Sequence, residues 1–167
     1  MMSSIQKAKE FLASVLPEMD WEHDEHLADT PKRMVKALQE LTSSEPFNFT
    51  TFESTSDEMV VVQDIPFYTF CAHHVLPFFG KAHIAYIPQG KICGLSKLAR
   101  TVDMFSRTLN VQEELTNSIA DYLELELEPL GVGVIMQAEH LCMSMRGIKT
   151  SGSLTTTSSM RGVFLDP

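Results

Sequence analysis

The sequence predicts an α+β protein in which helices cover one face of an antiparallel sheet, behind a helical N-terminal extension. Apolar residues recur at helical spacing in two stretches before residue 43. After residue 58, stretches with strand character occur in two pairs, and two more helical stretches separate these pairs. The resulting order β-β-α-α-β-β is typical of helices that pack together on one side of a sheet.

The N-terminal part is expected to contain two helices. The first runs from Ser3 to Leu16, with Ser3 at the spacing of a capping residue. The second begins after Asp29, a capping side chain followed by a proline in the first turn, and continues to about residue 42. The polar segment 43–57 has the composition of a loop. The expected domains are a helical extension, residues 1–57, and a sheet domain, residues 58–167.

The sheet domain is expected to contain four strands and two helices. Alternation and β-rich composition predict the strands, at residues 59–70, 81–87, 132–145 and 153–164. Helical periodicity predicts the helices, at residues 94–109 and 111–127. A sheet of so few strands leaves exposed edges, which proteins commonly remove by closure or by pairing with another subunit. We therefore expect the chain to assemble with copies of itself.

Composition limits the classes of partner and the compartment. The chain has 167 residues and a formal net charge of −9, so we expect no nucleic-acid partner and no anionic-membrane partner. No stretch reaches the apolar length of a membrane span, and the N-terminus lacks the apolar core of a secretory signal. The three cysteines argue for a reducing, cytoplasmic compartment, with Cys93 as a buried hydrophobic residue.

Two short segments carry side chains that suit a zinc ion. Cys71 is followed by the histidines His73 and His74, and His140 is followed by Cys142. Cys71 and His74 can reach one ion while His73 turns aside. His140 and Cys142 are expected to share one face of a strand, because side chains two residues apart do so. Three ligands and a vacant position would mark a catalytic site, whereas a fourth ligand from a histidine would make it structural.

Basic residues cluster at the predicted start of a helix after Gly94. Lys97 and Arg100 are three residues apart on one face, Ser96 precedes them, and Arg146 lies four residues after Cys142. Free N–H groups at a helix N-terminus favour phosphates, so this cluster near a metal suggests a polyanionic substrate. Each residue taken alone is also explained as a solvated charge.

The pair Gln112-Glu113 opens the next predicted helix. A carboxylate at this position could accept two hydrogen bonds from the N1–H and the 2-amino group of guanine. It could equally be an ordinary acidic first turn, which the helix dipole favours. The residues alone leave both interpretations open.

Several motifs, in order and spacing, resemble the GTP cyclohydrolase I family. They are FCAHHVLPF at residues 70–78, GKAHIAYIP at 80–88, GLSKLAR at 94–100, VQEELT at 111–116 and HLCMSMRG at 140–147. TPKR at residues 30–33 is similar to a motif near the family's N-terminus, and the resemblance covers about residue 29 to the end.

The resemblance implies a tunnelling fold, in which two antiparallel helices pack on the sheet. Subunits of this family join into toroids, typically homodecamers, with active sites between subunits. They convert GTP to 7,8-dihydroneopterin triphosphate and formate, the first step of tetrahydrofolate and pterin biosynthesis. One Zn²⁺ per subunit is the implied cofactor.

The resemblance also implies roles for individual residues. Cys71, His74 and Cys142 would bind zinc, and the proton-transfer residues would be His73 and His140. Gln112 and Glu113 would recognise guanine. The ribose and triphosphate would be held by Ser96, Lys97, Arg100 and Arg146. Arg33 would be either phosphate-related or structural.

Elementary chemistry is consistent with these roles. Zinc lowers the pKa of a bound water toward ~7, which provides hydroxide for attack on C8 of the purine. An imidazolium from His140 or His73 would protonate N7 and make the ring more electrophilic. Glu113 would reject adenine, because a buried carboxylate facing adenine would remain unpaired.

The chain departs from the family at Ala72, where a glutamate is usual. Loss of a carboxylate so near the metal would change zinc affinity or rate on the order of tenfold or more. One alternative is therefore a catalytically impaired paralogue that still binds zinc and nucleotide. Another is a different tunnelling-fold enzyme, but those lack the Cys/His/Cys set with the Gln112-Glu113 pair. A zinc nucleobase deaminase would need Pro-Cys-x-x-Cys, which this sequence does not contain.

Overall fold

A computed structural model describes residues 2–165, which divide into two compact units at residues 43 and 44. The first unit contains helices α1 (Ser4–Val15) and α2 (Thr30–Leu41). The second contains the sheets and the remaining helices. Residues 44–57 belong to the second unit by their contacts. The domain boundary after residue 57 stays a prediction, because contacts alone do not show which part folds independently.

Helices α1 and α2 both begin where their sequences predict, and only α1 has the predicted side-chain cap. The Ser3 hydroxyl accepts a hydrogen bond from the Gln6 amide at 3.2 Å, which confirms the cap of α1. Asp29 occupies the N-cap position of α2, but the prediction that its side chain caps the helix is wrong. Asp29 has helical backbone angles, and its side chain bonds no amide of the first turn. Its carboxylate instead accepts from Arg33 at 3.4 Å, one turn along the helix.

A five-stranded sheet forms the centre of the second unit, in the order β5-β2-β3-β6-β7. Its strands are β2 (Val60–Cys71), β3 (Pro77–Ile87), β5 (Leu109–Asn110), β6 (Gly131–His140) and β7 (Thr155–Gly162). All neighbours pair antiparallel except the short β5, which runs parallel to β2. The four long strands confirm the predicted antiparallel sheet.

The segment 43–57, predicted to be a loop, contains a short strand. β1 (Thr51–Glu53) pairs antiparallel with β4 (Lys91–Cys93) as a separate two-stranded sheet. Three residues are too few to show a strand period in a sequence, so this pairing depends on a partner distant in the chain.

Helices α3 (Leu95–Ser106) and α4 (Gln112–Leu127) pack on the sheet, α3 against β2 and α4 against β6 and β7. One apolar cluster joins both helices to alternate residues of the strands. Its fully buried members include Leu98, Val102, Leu115, Ile119, Leu123, Ile84, Tyr86, Val134 and Met136. Both helices therefore cover the same face, as predicted. Within residues 2–165, no helix has the length and apolar character needed to cross a lipid bilayer.

The strand predicted over residues 132–145 ends at His140, so the prediction is wrong for residues 141–145. A short helix, α5, follows at once over Leu141–Ser144. The Met145 amide donates to the Leu141 carbonyl at 3.1 Å, which closes the helical turn. A short apolar run does not distinguish strand from helix by its period, and here the chain turns out of the sheet. The final strand is likewise shorter than predicted, with a 3-10 turn at Val163–Leu165.

Candidate metal centre and active site

Three potential metal ligands, Cys71, His74 and Cys142, lie together at one end of the sheet. One ligand atom from each residue lies within 4.8 Å of the others. The Cys71 sulfur is 3.8 Å from His74 Nδ1. These distances are close enough for one ion to contact both sulfurs and the imidazole after small side-chain adjustments.

A tight turn after β2 brings His74 back over Cys71. The Val75 amide donates to the Cys71 carbonyl and the Cys71 amide to the Leu76 carbonyl, both at 2.8 Å. Val75 has φ +54°, an unusual conformation for a β-branched residue. The backbone is therefore held in a strained turn at the point where His74 meets Cys71. Such strain is typical of functional sites.

The chemistry of the three side chains fits a bound dication. Burial raises the pKa of the Cys142 thiol, and the adjacent Cys71 raises that pKa further. The Cys142 thiol therefore resists ionisation as long as no cation compensates the charge. A divalent ion reverses this effect, because it stabilises both thiolates.

Two further histidines lie beside the metal ligands. His73 Nδ1 is 3.7 Å from the Cys71 sulfur, and its side chain is exposed. His140 is half-buried and stacks on Phe78, with ring centroids 4.4 Å apart and planes 9° from parallel. Neither histidine belongs to the group of potential ligands found among residues 2–165. That group has three members, which suits the catalytic interpretation better than the closed structural one.

His140 and Cys142 do not share a strand face, so that prediction is wrong. His140 is the last residue of β6, and Cys142 lies in α5. Both nevertheless line one cavity of about 230 Å³. Its wall also includes Cys71, His73, Gln112 and Glu113. The helical turn therefore brings His140 and Cys142 close together, although the sequence pattern predicted that a shared strand face would do so.

The pKa of His140 is subject to two opposing effects in this cavity. Burial lowers the pKa of His140, and the carboxylate of Glu113 opposes that change. Glu113 lies exposed in the first turn of α4. Its carboxylate is therefore available to a molecule that enters the cavity.

The predicted phosphate-binding residues do not line this cavity. Among the described residues of its wall, none is lysine or arginine. Lys97 donates to the Asn48 carbonyl at 2.6 Å and lies 5.6 Å from the centre of the Phe47 ring. Ser96, Arg100 and Arg146 are exposed. Within one subunit, the structure places the candidate metal ligands near Gln112 and Glu113 and leaves the predicted phosphate-binding residues outside the cavity.

Two residues of the site were not found from the sequence. Phe78 supports the His140 ring, and its place in the motif of residues 70–78 was the available signal. Asn110 lines the cavity, and its carbonyl accepts from the Ala72 amide at 3.0 Å. Its side chain donates to Thr69 at 2.9 Å and to the Phe105 carbonyl at 3.0 Å. No local pattern marks Asn110, because its role depends on the pairing of β5 with β2.

Known proteins resemble this chain over most of its length. The family model of GTP cyclohydrolase I matches residues 6–167. GTP cyclohydrolase 1 of Hydrogenobaculum sp. is 57% identical over 143 residues, which cover 84% of this chain and 79% of that protein. The Aquifex aeolicus protein of that name is 57% identical, over 84% of this chain and 78% of its own. For Methylococcus capsulatus the identity is 49%, over 84% and 79%.

A solved structure supports the fold independently. The crystal structure of the archaeosine synthase QueF-Like in the apo form aligns with a TM-score of 0.54 at 16% identity. The alignment covers 65% of this chain and 97% of that one. An identity this low carries information about the fold alone.

The sheet, the paired helices and the structural neighbour define the class: this is a tunnelling-fold protein, as the sequence predicted. The Cys/His/Cys group at the end of its sheet is a candidate metal centre. The family match and the relatives then identify the protein more closely. The chain belongs to the GTP cyclohydrolase I family, and it is an enzyme.

Proposed function

We propose that this enzyme converts GTP to 7,8-dihydroneopterin triphosphate and formate, with one Zn²⁺ per subunit held by Cys71, His74 and Cys142. The observation that carries the proposal is the cavity in which two of these ligands meet His140 and Glu113. When bound, zinc supplies a hydrolytic nucleophile at neutral pH, because it acidifies water. The product would serve tetrahydrofolate and pterin biosynthesis.

Glu113 is proposed to select guanine. Its carboxylate is free at the cavity wall and can accept from the N1–H and the 2-amino group of the base. Adenine has no donors in this arrangement, so its binding would leave the carboxylate desolvated and unpaired. The resemblance predicted that Gln112 shares this role.

His73 and His140 are proposed to transfer protons during the hydrolysis. Protonation of N7 makes C8 more electrophilic, and the later ring opening and rearrangement require further proton movement. His140 is supported by Phe78 and faces the same cavity as the metal ligands. His73 lies beside Cys71 and lines the same cavity.

The triphosphate is proposed to be held by Ser96, Lys97, Arg100 and Arg146, with some of these residues contributed by another subunit. The cavity wall of one subunit lacks basic residues, although the substrate carries a highly charged triphosphate. β7 has a neighbour on one side only and can pair with a second copy. We therefore propose a homo-oligomer, typically a decamer in this family, with sites between subunits, and activity in the cytoplasm. No role is proposed for Arg33 beyond its contact with Asp29.

A turnover assay tests this proposal. The protein is incubated with GTP and zinc, and neopterin is measured by fluorescence after oxidation, together with released formate. We expect both products in equal amounts and none from ATP. The Glu113→Gln variant should lose turnover by more than about 10²-fold, because an amide repels one of the two donors of guanine.

The alternative function, an impaired paralogue that binds zinc and nucleotide, derives from the short side chain of Ala72. In that case the protein would bind zinc and GTP in equilibrium dialysis without forming formate. Formation of formate at rates well above those without protein would exclude this alternative.

A further inference from the structure

The side chain of Gln112 is buried, 2% exposed, and fully engaged in hydrogen bonds. Its Oε1 lies 2.7 Å from His140 Nε2. Its Nε2 lies 3.2 Å from the Met136 carbonyl and 3.1 Å from the Thr155 carbonyl. The same nitrogen is 3.1 Å from the Thr157 hydroxyl. Both polar atoms of this amide therefore already have partners within the protein.

The orientation of the Gln112 amide follows from its partners. The Met136 and Thr155 carbonyls can only accept, so the atom facing them must be the NH₂ group. A flipped amide would place its oxygen against two other oxygens at about hydrogen-bond distance and leave all three without a donor. The amide oxygen must therefore face His140.

The neighbouring hydroxyl groups agree with this orientation. The Thr116 hydroxyl donates to the backbone carbonyl of Gln112 at 2.7 Å and so has no proton left for Thr157. Thr157 must then donate across the 2.6 Å contact between the two hydroxyls. The Thr157 oxygen also accepts from the Gln112 NH₂ group. With this orientation of the amide, each donor among the side chains of Gln112, Thr116 and Thr157 has an acceptor. The flipped amide does not allow this.

The protonation pattern of the His140 ring is a consequence. An amide oxygen only accepts, so His140 Nε2 must carry the hydrogen in the 2.7 Å contact. In the neutral ring, Nδ1 is then the unprotonated nitrogen. Phe78 stacks on the same ring and limits its rotation out of plane.

We propose that Gln112 is a positioning residue that holds His140 as the Nε2–H tautomer, so that His140 exchanges protons with the substrate through Nδ1. This inference rests on the proposed function for its catalytic meaning only. It reassigns the Gln112 side chain, because recognition of guanine is left to the Glu113 carboxylate.

Nitrogen NMR of the zinc-loaded protein labelled with ¹⁵N-histidine tests the tautomer without turnover. The His140→Gln variant identifies the His140 signals by difference, and alkaline buffer keeps imidazoles neutral. We expect the Nε2–H form in the wild type. In Gln112→Met, which has similar length and no amide, we expect a mixture of both tautomers. Observation of the Nδ1–H form in the wild type would overturn the inference, whether or not the protein turns over GTP.

Thr157→Val serves as the matched control, because it removes one acceptor from the Gln112 NH₂ group and leaves the contact with His140. Its His140 tautomer should equal that of the wild type. In turnover, Gln112→Met should lower kcat by about 10²-fold and change KM for GTP less than about twofold. A raised KM with unchanged kcat and tautomer would instead assign Gln112 to guanine recognition and would contradict the proposal.

Discussion

At the scale of single residues, the metal group depends on one strained turn and one short helix. The turn at Val75 directs His74 toward Cys71, and helix α5 directs Cys142 toward both. Burial, and after it the adjacent Cys71, raise the pKa of the Cys142 thiol. A bound dication would stabilise both thiolates of this arrangement.

Cys142→Ser should abolish zinc binding and turnover together. A hydroxyl binds zinc much more weakly than a thiolate does. Activity should therefore fall by more than the 10- to 100-fold that is typical when a hydrogen-bond partner of a metal ligand is mutated. Metal analysis of purified protein, combined with the turnover assay, provides the measurement. Cys93→Ala is the control, because Cys93 is buried in the core. It should keep wild-type zinc at a stability cost of about 1 kcal/mol. Wild-type zinc content in Cys142→Ser would contradict the ligand assignment.

Ala72→Glu should preserve or raise turnover, by up to about tenfold. Ala72 is exposed in the turn between Cys71 and the histidines, so the larger side chain fits without burial. A carboxylate there can orient a ligand or a basic side chain near the metal. Ala72→Gln, equal in size and without charge, should leave the rate unchanged. A large loss in Ala72→Glu would show that this chain has adapted to alanine.

At the scale of elements, the close contact of β3 and β6 fixes where the site residues end up. The register places Phe78 opposite His140 and Gly80 opposite Ala138. A Cβ added at Gly80 would lie 1.8 Å from the Gln137 carbonyl oxygen. The pairing that stacks His140 on Phe78 therefore requires glycine two residues further along β3.

Gly80→Ala should destabilise the protein by roughly 3 kcal/mol or more, because the clash is with backbone rather than with a flexible side chain. Urea unfolding followed by circular dichroism measures the change. Gly94→Ala is the matched control, since the nearest atom to its added Cβ is Lys97 Cγ at 3.9 Å. That control should change stability by less than about 1 kcal/mol. Equal stability of the two variants would contradict the described register.

At the scale of the whole molecule, the cavity and the basic residues have to meet across subunits if the proposed function holds. One subunit supplies the metal ligands, Glu113 and His140, and none of the lysines or arginines among its described residues lines the cavity. β7 is paired with a strand on one side only, so its other edge is available for assembly. If sites are shared between subunits, two different inactive variants should complement each other when they are mixed in one oligomer.

Co-expression of Cys142→Ser with Arg100→Ala should restore activity to roughly a quarter of the sites in randomly mixed oligomers. Some sites then take the cavity from one subunit and Arg100 from another. Differently tagged subunits, purified through both tags, provide the mixed oligomers for assay. Cys142→Ser with His140→Gln is the control and should stay inactive, because both residues line the cavity of one subunit. Absence of recovery in the first mixture would place the complete site within one subunit.

The sequence by itself determined the α+β class, the order of the long strands and helices, and the two short segments that carry the candidate metal ligands. Periodicity is a local property, and the spacing of Cys71, His74 and Cys142 is written directly in the chain. Only the tertiary structure decided that β6 ends at His140, that residues 51–53 pair with β4, and that the Asp29 side chain makes no capping bond to α2. It also showed that Gln112 faces His140. These features depend on contacts between residues far apart in sequence, which local patterns of hydrophobicity and capping do not encode.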